Sequence, residues 1–151
     1  MVAGRRGAIL PAVNQVETHI GWHQPSLRAA MRDLGITVVA YTPLGNPAVY
    51  DSSGRAEGMS SKLVTDMADE AGLTPAQVML NFLLAQDVVV IPKSTTPSRI
   101  RSNLDFDARL SPAQLARLAE GTPQRRLANP RNRPGGRHVF DDGAPPQRPE
   151  L

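Results

Sequence analysis

The sequence predicts an α/β fold with a parallel sheet, on the basis of two observations. From Pro11 onward, short runs rich in β-branched and apolar residues alternate with longer segments of helical spacing. One of these runs, "ITVVAYTPL" (36–44), has Thr37 as the only polar residue among its first five, which is typical of a strand covered on both faces. Strands separated by helices need crossover connections, and these make the strands parallel.

The first elements follow this alternation. "PAVNQVE" (11–17) has the composition of a strand. The next segment lies between Pro25, which suits a first helical turn, and Gly35, which suits the position just after a helix. Its apolar residues recur at helical spacing and predict one helix: Leu27, Ala30, Met31 and Leu34. "ITVVAYTPL" is then the second strand.

A long loop over 45–58, rich in Gly, Pro, Asn, Asp and Ser, separates the second strand from the second helix. That helix is indicated by an apolar stripe that ends before Gly72: Leu63, Val64, Met67, Ala68 and Ala71. Two more helices open with a capping pattern: Thr74, Pro75 and Gln77, and later Ser111, Pro112 and Gln114. The first is expected to run to about Gln86 and the last to Gly121, with "VVVIPKS" (88–94) as the third strand between them.

The composition is that of one globular domain, with 151 residues and 40% hydrophobic content. No run approaches the roughly 18 apolar residues of a membrane span, and the apolar segment after Arg5 and Arg6 is too short for a secretory signal. We therefore expect a cytoplasmic protein with no membrane partner. The absence of cysteine excludes disulfides, thiolate nucleophiles and cysteine-ligated metal sites.

The net charge of +3 and the pI near 9.9 raise the question of a nucleic-acid partner. Much of the excess lies in a stretch rich in Pro, Gly and Arg, which we interpret as an irregular, solvated tail over residues 122–151. Aromatic residues, which would stack on bases, make up only 4% of the chain. We therefore expect no nucleic-acid partner, and we interpret Asp141 and Asp142 as solvated charges.

Mostly polar residues mark the carboxyl ends of the three predicted strands, where α/β folds bind their ligands. They are Asn14, Gln15 and Glu17 at the first end, Tyr41, Thr42 and Leu44 at the second, and Pro92, Lys93, Ser94 and Thr95 at the third. A packed core does not need polar groups at these positions. Tyr41 has an alternative interpretation as a core aromatic residue whose hydroxyl has found a partner.

The third of these ends has the composition of an anion site. Residues 93–95 lead into a helix start at Thr96 and Pro97, where free backbone N–H groups and the helix dipole favour an anion. Arg99 lies in the first turn, and Asn103 lies four residues later on the same face. The pattern indicates a site for a phosphate with a base beside it. The alternative is an ordinary capped helix with surface charges.

Taken together, "PAVNQVE", "GITVVAYTPLG", "LTPAQVMLNFLLAQDVVVIPKSTTPSRIRSNLD" and "LSPAQLARL" resemble, in order and spacing, the second half of the aldo-keto reductases. The family fold is an eight-stranded (β/α)8 TIM barrel, so the resemblance implies an α/β partial barrel made of strands 6 to 8 with their helices. "RLANP" and the later Phe140-Asp141 resemble the C-terminal loop of bacterial diketogluconate reductase-like members. The chain then divides into a leader (1–10), the NADPH-binding half-barrel (11–121) and an irregular C-terminal tail (122–151).

The resemblance also implies roles for individual residues. Gln15 resembles the glutamine that holds the nicotinamide carboxamide of NADPH, and Tyr41 resembles the tyrosine that stacks on the nicotinamide ring. Thr42 and Leu44 are similar to part of the strip beside the pyrophosphate. "IPKST" and the residues after it imply 2′-phosphate contacts from Lys93, Ser94 and Arg99 and an adenine contact from Asn103, with Thr95 also among the cofactor-binding residues. Ser102 stands where many members have an acidic residue that contacts adenine.

Glu17, His19 and His23 offer the residue types of a metal site, since histidines four apart share one face of a helix. Gly21 within this stretch and Pro25 just after it argue against a helix, so we do not expect a metal there. The resemblance instead locates the stretch in the loop after the first strand. We interpret His19 and Trp22 as lining the substrate end of the pocket, with packing on the barrel rim as the alternative.

No position in the chain matches the family's proton-donating tyrosine with its lysine and aspartate, its active-site histidine, or its Ser-Asn pair on the fifth strand. Tyr50 is no substitute, because nothing positions a lysine and an aspartate beside its hydroxyl. We therefore expect a truncated half of an NADPH-dependent reductase of aldehydes or ketones, inactive by itself. The alternative is an NADPH-binding half-barrel that associates through its exposed strand edges, either with itself or with a separate first half. Only the second kind of assembly would act on a small carbonyl substrate.

Overall fold

The computed structural model of the chain describes residues 9–45, 58–106 and 109–128. Within these residues three strands alternate with five helices, as the sequence predicts. The strands are β1 (Val13–Glu17), β2 (Thr37–Tyr41) and β3 (Val89–Val90), and the helices are α1 (Pro25–Asp33), α2 (Lys62–Ala71), α3 (Pro75–Leu84), α4 (Pro97–Ser102) and α5 (Pro112–Gly121). None of these helices is long and apolar enough to cross a membrane.

The strands form one parallel sheet in the order β1-β2-β3. β1 pairs with β2 along its whole length, from Val13 opposite Thr37 to Glu17 opposite Tyr41. Helical structure follows each strand, and between successive strands it returns the chain to the same end of the sheet, which is the repeating unit of a (β/α) barrel. The predicted fold class, a partial (β/α)8 barrel, is confirmed by this arrangement.

The third strand is shorter than the sequence predicts. The prediction of a strand over 88–94 is wrong beyond Val90, because only Val89 and Val90 pair with β2. Pro92 has no backbone N–H to donate to a ladder, and β3 has a neighbour on one side only within the described chain. Residues 93–95 therefore lie in a loop between the strand and α4.

Two other elements end slightly earlier than predicted. α3 stops two residues short of Gln86, because the chain turns at Asp87, whose φ is 58°. β2 stops at Tyr41 rather than at Leu44, because Thr42 takes a φ of 52°, which no extended strand permits.

The helix starts and stops follow the local signals. α3 and α5 each begin with a complete capping box, in which Thr74 and Gln77, and likewise Ser111 and Gln114, satisfy each other's backbone N–H groups. Gly72 follows α2 with the left-handed φ of 65° that a glycine adopts without strain. These contacts are local, and the sequence predicts them directly.

The two faces of the sheet have different surroundings. One face, which includes the buried Val38 and Ala40, packs on the helices and forms the apolar core with Val64, Met67, Val78, Met79, Phe82, Leu83, Val88 and Leu118. Alternation along the strands turns the other residues to the opposite side. We call this side the open face, and it carries Val13, Gln15, Glu17, Thr37, Val39, Tyr41 and Val89. Val13 and Val89 are 50% and 45% exposed, although a closed barrel would bury this face.

Candidate functional site

Most of the predicted site residues near α4 lie around one pocket of about 350 Å³. We call it the α4 pocket, and it is lined by Leu44, Met59, Thr74, Pro75, Ala76, Lys93, Ser94, Arg99, Ser102 and Asn103. Five of these are predicted cofactor-binding residues: Leu44, Lys93, Ser94, Arg99 and Asn103. The loops after β2 and β3 thus meet the first turn of α3 and the face of α4 at the carboxyl end of the sheet.

The α4 pocket combines two cations with an apolar wall. Lys93 and Arg99 are both exposed, and neither forms an ion pair with any described residue. Ser94 accepts a hydrogen bond at its Oγ from the N–H of Thr96 at 3.2 Å, which holds the hydroxyl beside the start of α4. The apolar lining comes from Leu44, Met59, Pro75 and Ala76. Such a surface suits a phosphate ester attached to a flat or apolar group.

Asn103 is the only buried residue of the lining, with 7% of its surface exposed. It follows the last turn of α4, where its N–H donates to the carbonyl of Arg99 at 2.9 Å. This backbone bond fixes Asn103 one helical turn from Arg99. The predicted spacing of the guanidinium and the amide on one face is therefore present in the structure.

The wall that α3 contributes is not apparent from the sequence. The capping pattern predicts where α3 begins, but it gives no signal that the helix begins beside α4. Gln77 makes that connection: its Oε1 accepts from the N–H and the hydroxyl of Thr74 at 2.9 Å each. Its Nε2 donates to the carbonyl of Ser102 and to the carboxylate of Asp105, each at 3.4 Å. One side chain therefore caps α3 and holds the end of α4.

Replacing Gln77 with glutamate is expected to destabilise the protein by about 1–2 kcal/mol. The carboxylate keeps an acceptor for Thr74, but it loses the amide donor and brings a negative charge beside Asp105. Chemical denaturation measures the effect. The matched control is Gln114→Glu, at the same capping position of α5, where the side chain bonds to no described residue but Ser111. Equal losses in the two variants would contradict the bridging role of Gln77.

Four predicted cofactor residues lie outside the α4 pocket. Gln15 and Tyr41 share the open face on neighbouring strands, two positions apart in register. Thr42 follows Tyr41, and its hydroxyl donates to the Tyr41 carbonyl at 2.7 Å. Thr95 is exposed in the loop before α4. The structure thus gathers five of the predicted residues around the α4 pocket and places Gln15 and Tyr41 together on the open face.

A buried carboxylate lies at the carboxyl end of β1. Glu17 is 1% exposed and accepts hydrogen bonds from the backbone N–H groups of Leu127 and Ala128 and from Nε2 of His19, the last at 3.0 Å. Nδ1 of His19 accepts from the N–H of Gly21, so Nε2 is the nitrogen that donates. Burial alone would raise the pKa of Glu17, but the hydrogen bonds outweigh it and hold the pKa below its usual 4.5.

The same end of the sheet is covered by the C-terminal segment (122–128). His23 donates its backbone N–H to the side-chain oxygen of Gln124 at 2.8 Å. The guanidinium of Arg126 lies 4.9 Å from the ring centroid of Trp22, within cation–π range. The loop after β1 and the C-terminal segment therefore pack as one unit.

The candidate metal residues have other partners. Glu17 and His19 contact each other, and the ring of His23 packs on Phe82 with centroids 4.7 Å apart. In the described ranges no group of three or more His, Cys, Asp or Glu side chains could hold a metal ion. His19 is 1% exposed and lies in the interior, whereas Trp22 is partly exposed.

Some sequence predictions fall on residues outside the described ranges. They concern Tyr50, Phe140, Asp141 and Asp142, together with most of the leader (1–8) and of the C-terminal tail (129–151).

Comparison with known proteins identifies relatives of the chain. The model of the aldo/keto reductase family matches residues 2–121. Morphine 6-dehydrogenase of Pseudomonas putida is 41% identical over 118 residues, which cover 74% of this chain and 40% of that protein. Methylglyoxal reductase DkgA of Escherichia coli K12 is 35% identical over 131 residues, which cover 85% of this chain and 44% of that protein.

The solved structures agree with these relatives. An aldo-keto reductase crystallised in complex with NADPH superposes with a TM-score of 0.77 at 27% identity, covering 93% of this chain and 44% of that one. The chain thus spans about two fifths of the length of the proteins that it matches.

Proposed function

The chain belongs to the aldo-keto reductase family, and from this premise we propose that it supplies the NADPH-binding part of a reductase that converts an aldehyde or a ketone to an alcohol. The observation that carries the proposal is the α4 pocket, which gathers Lys93, Ser94, Arg99 and Asn103 around one cavity. By their resemblance to the family's signature, we propose that these residues contact the 2′-phosphate and adenine. The relative crystallised with NADPH supports this choice of cofactor.

The chemistry of the α4 pocket fits the adenosine 2′-phosphate end of NADPH. A phosphate dianion needs charge and hydrogen-bond donors, and Lys93, Arg99 and the hydroxyl of Ser94 supply both. Met59 and Pro75 line the pocket with apolar surface that suits the flat face of a base. NADH has no 2′-phosphate and would leave both cations without a partner, so NADPH is expected to bind more tightly.

Titration of the purified chain with NADPH, followed by nicotinamide fluorescence, tests the proposal. Saturable binding with a preference over NADH is the expected result. Arg99→Ala and Lys93→Ala are each expected to weaken NADPH binding by roughly ten- to a hundredfold, since a hydrogen bond to a charged group contributes about 1.5–3 kcal/mol. Neither variant is expected to change the affinity for NADH to a similar extent.

The matched control is Arg101→Ala. Arg101 is exposed on the same short helix as Arg99 but does not line the α4 pocket. The Arg101→Ala variant is expected to bind NADPH with an affinity within about twofold of that of the unmodified chain, because a surface charge outside the contact contributes little. Equal losses for Arg99→Ala and Arg101→Ala, or equal affinities for NADPH and NADH, would overturn the proposal.

When bound, NADPH supplies the hydride for the carbonyl carbon. We propose that Gln15 holds the nicotinamide carboxamide and that Tyr41 packs on the nicotinamide ring, since the two side chains share the open face. Thr42 and Leu44 then follow along the pyrophosphate. The developing alkoxide also needs a proton donor, and no position of the chain matches the family's acid. We therefore propose that the 151-residue chain alone has little carbonyl-reducing activity.

A second candidate function is that of an NADPH-binding module which joins a complementary barrel half. The exposure of Val13, Val89 and Ile91, between 45% and 50%, favours it, because side chains of this kind are normally buried. A groove of about 440 Å³ along β3, lined among others by Leu104 and Phe106, adds apolar surface at the sheet edge. Two copies would bring only six described strands together, whereas the family barrel has eight. A separate part with five strands is therefore the better partner.

We also propose a cytoplasmic location. A chain without cysteine suits a reducing compartment, although it does not require one. Fractionation of cells that produce the tagged protein tests this, and recovery in a secreted or membrane fraction would contradict it.

A further inference from the structure

A second pocket, of about 340 Å³, lies at the amino ends of β2 and β3. We call it the α1 pocket. It is lined by Pro25, Arg28 and Arg32 from α1, by Gly35, Ile36, Thr37 and Val38 at the start of β2, and by Gln86, Asp87 and Val88 before β3. Because the strands are parallel, it lies at the opposite end of the sheet from the α4 pocket, about 15 Å away along five residues of strand. The two pockets share no residue.

Two guanidinium groups give the α1 pocket its charge. Arg28 and Arg32 lie four residues apart, on one face of α1, where like charges destabilise a helix. Neither forms an ion pair with a residue in the described ranges. Nε of Arg28 donates to the carbonyl of His23 at 2.7 Å, which fixes the direction of the guanidinium and leaves its other N–H groups for further contacts.

Among the described residues, no carboxylate pairs with either arginine. Burial lowers the pKa of Arg28, and the charge of Arg32 lowers it further. Asp87 is the one carboxylate of the pocket lining, and it forms no ion pair with either arginine. The lining therefore carries two cations and one separate anion, so its net charge is positive.

We propose that the α1 pocket binds a small oxyanion, either a phosphate ester or a carboxylate, between Arg28 and Arg32. Guanidinium groups donate paired hydrogen bonds to both kinds of group, and an anion between the two would also relieve their repulsion. Gln86 and Asp87, on the other side of the pocket, offer acceptors for hydroxyl groups of the same ligand. The expected ligand class is therefore a hydroxylated anion and not an apolar molecule.

The test uses the full 151-residue chain, labelled with ¹⁵N, and follows the Nε–H signals of Arg28 and Arg32. Inorganic phosphate is titrated in one series and succinate in another, at constant ionic strength. Saturable shifts of both signals are expected with at least one of the probes. A response to phosphate but not to succinate identifies a phosphate-ester site. A response to both probes identifies a general oxyanion site.

Arg32→Gln is the informative variant, because Arg32 is exposed and none of the described side-chain hydrogen bonds depends on it. It is expected to weaken the affinity for the probe at least tenfold, as read from the Arg28 signal. Arg101→Gln, which removes the same charge from α4, is expected to leave that affinity unchanged. The double variant Lys93→Ala/Arg99→Ala is also expected to leave it unchanged, because the α4 pocket is separate.

Three results would overturn the proposal. They are shifts that rise linearly with probe concentration and do not saturate, an unchanged affinity in Arg32→Gln, and loss of the response in the Lys93→Ala/Arg99→Ala variant. None of these results bears on NADPH binding, which is measured independently at the α4 pocket.

Discussion

Replacing Glu17 with glutamine is expected to lower the free energy of unfolding by about 2–3 kcal/mol at pH 7. The Glu17 carboxylate accepts three hydrogen bonds in the interior, from His19, Leu127 and Ala128. Glutamine has nearly the same shape, but only one of its two terminal atoms is an acceptor. Its NH₂ group would face a donor, so at least one N–H, that of the partly buried Ala128, would lose its acceptor, and that loss costs more than an average hydrogen bond contributes.

Urea denaturation measures this effect, with Glu70→Gln as the matched control. Glu70 pairs with Arg117 at 2.7 Å on an exposed surface, and we expect its replacement to change the stability much less. A loss in Glu17→Gln no larger than that in Glu70→Gln would contradict the inference that the hydrogen bonds from Leu127 and Ala128 to Glu17 stabilise the fold.

The acid dependence of stability follows from two lowered pKa values. Burial lowers the pKa of His23 below its usual 6.5, and the hydrogen bonds described above hold the pKa of Glu17 below 4.5. In both cases the unfolded chain binds the proton more readily than the folded chain. The contribution of each group to the stability is therefore fully present above that group's unfolded pKa, and it is lost as the pH falls. The stability is therefore expected to fall from about pH 6.5 downward because of His23, and to fall further below about pH 4.5 because of Glu17.

Comparison of the unmodified chain with Glu17→Gln separates the contribution of Glu17 from that of His23. His23 is present in both the unmodified chain and Glu17→Gln, so its contribution largely cancels in the difference between their stabilities. That difference is expected to stay constant from pH 7 to about 5 and then to shrink below about pH 4.5. A difference that grows on acidification would contradict the direction of the Glu17 shift.

The sequence predicts the parts of the fold that depend on local chemistry. The capping boxes of α3 and α5 and the glycine after α2 need only residues within a few positions, and the structure contains all of them. The length of β3 depends on a neighbouring strand, which a local pattern does not describe. The apolar run 88–91 looks like a longer strand, but only Val89 and Val90 pair with β2, and Pro92 has no N–H to donate to a ladder.

The candidate site likewise contains residues that local sequence predicts and residues that only tertiary packing brings together. Lys93, Ser94, Arg99 and Asn103 come from one stretch, so their spacing alone predicts that they share a pocket. Met59 and the first turn of α3 join them only through tertiary packing, and no motif marks them. Glu17 is the most instructive case, since its residue type suggests a metal ligand or a binding group. Two of its three partners are backbone N–H groups about 110 positions away, and a backbone N–H leaves no signature in a sequence.

Joining this chain to the first part of a related barrel is expected to raise NADPH-dependent carbonyl reduction by about 10²–10⁴-fold over the chain alone, which is the usual contribution of a general acid. The segment of Pseudomonas putida morphine 6-dehydrogenase that this chain does not match is a suitable partner, because the matching part is 41% identical. It should supply the five further strands of an eight-stranded barrel and the proton-donating tyrosine. Activity is measured as NADPH oxidation with a panel of small aldehydes and ketones.

Two matched variants assign the gain to its cause. Replacing the partner's proton-donating tyrosine with phenylalanine should remove the gain but leave NADPH binding intact. Arg99→Ala in this chain should instead raise the NADPH concentration needed for half-maximal rate, with less effect on the maximal rate, because it weakens cofactor binding and leaves the acid in place.

Closure of the barrel should also bury Val13 and Val89, so the joined protein should self-associate less than the chain alone. If the chain alone reduced carbonyl compounds as fast as the joined protein, the proton would have to come from one of its own residues. The assignment of Tyr41 to the nicotinamide ring would then be the first to be re-examined.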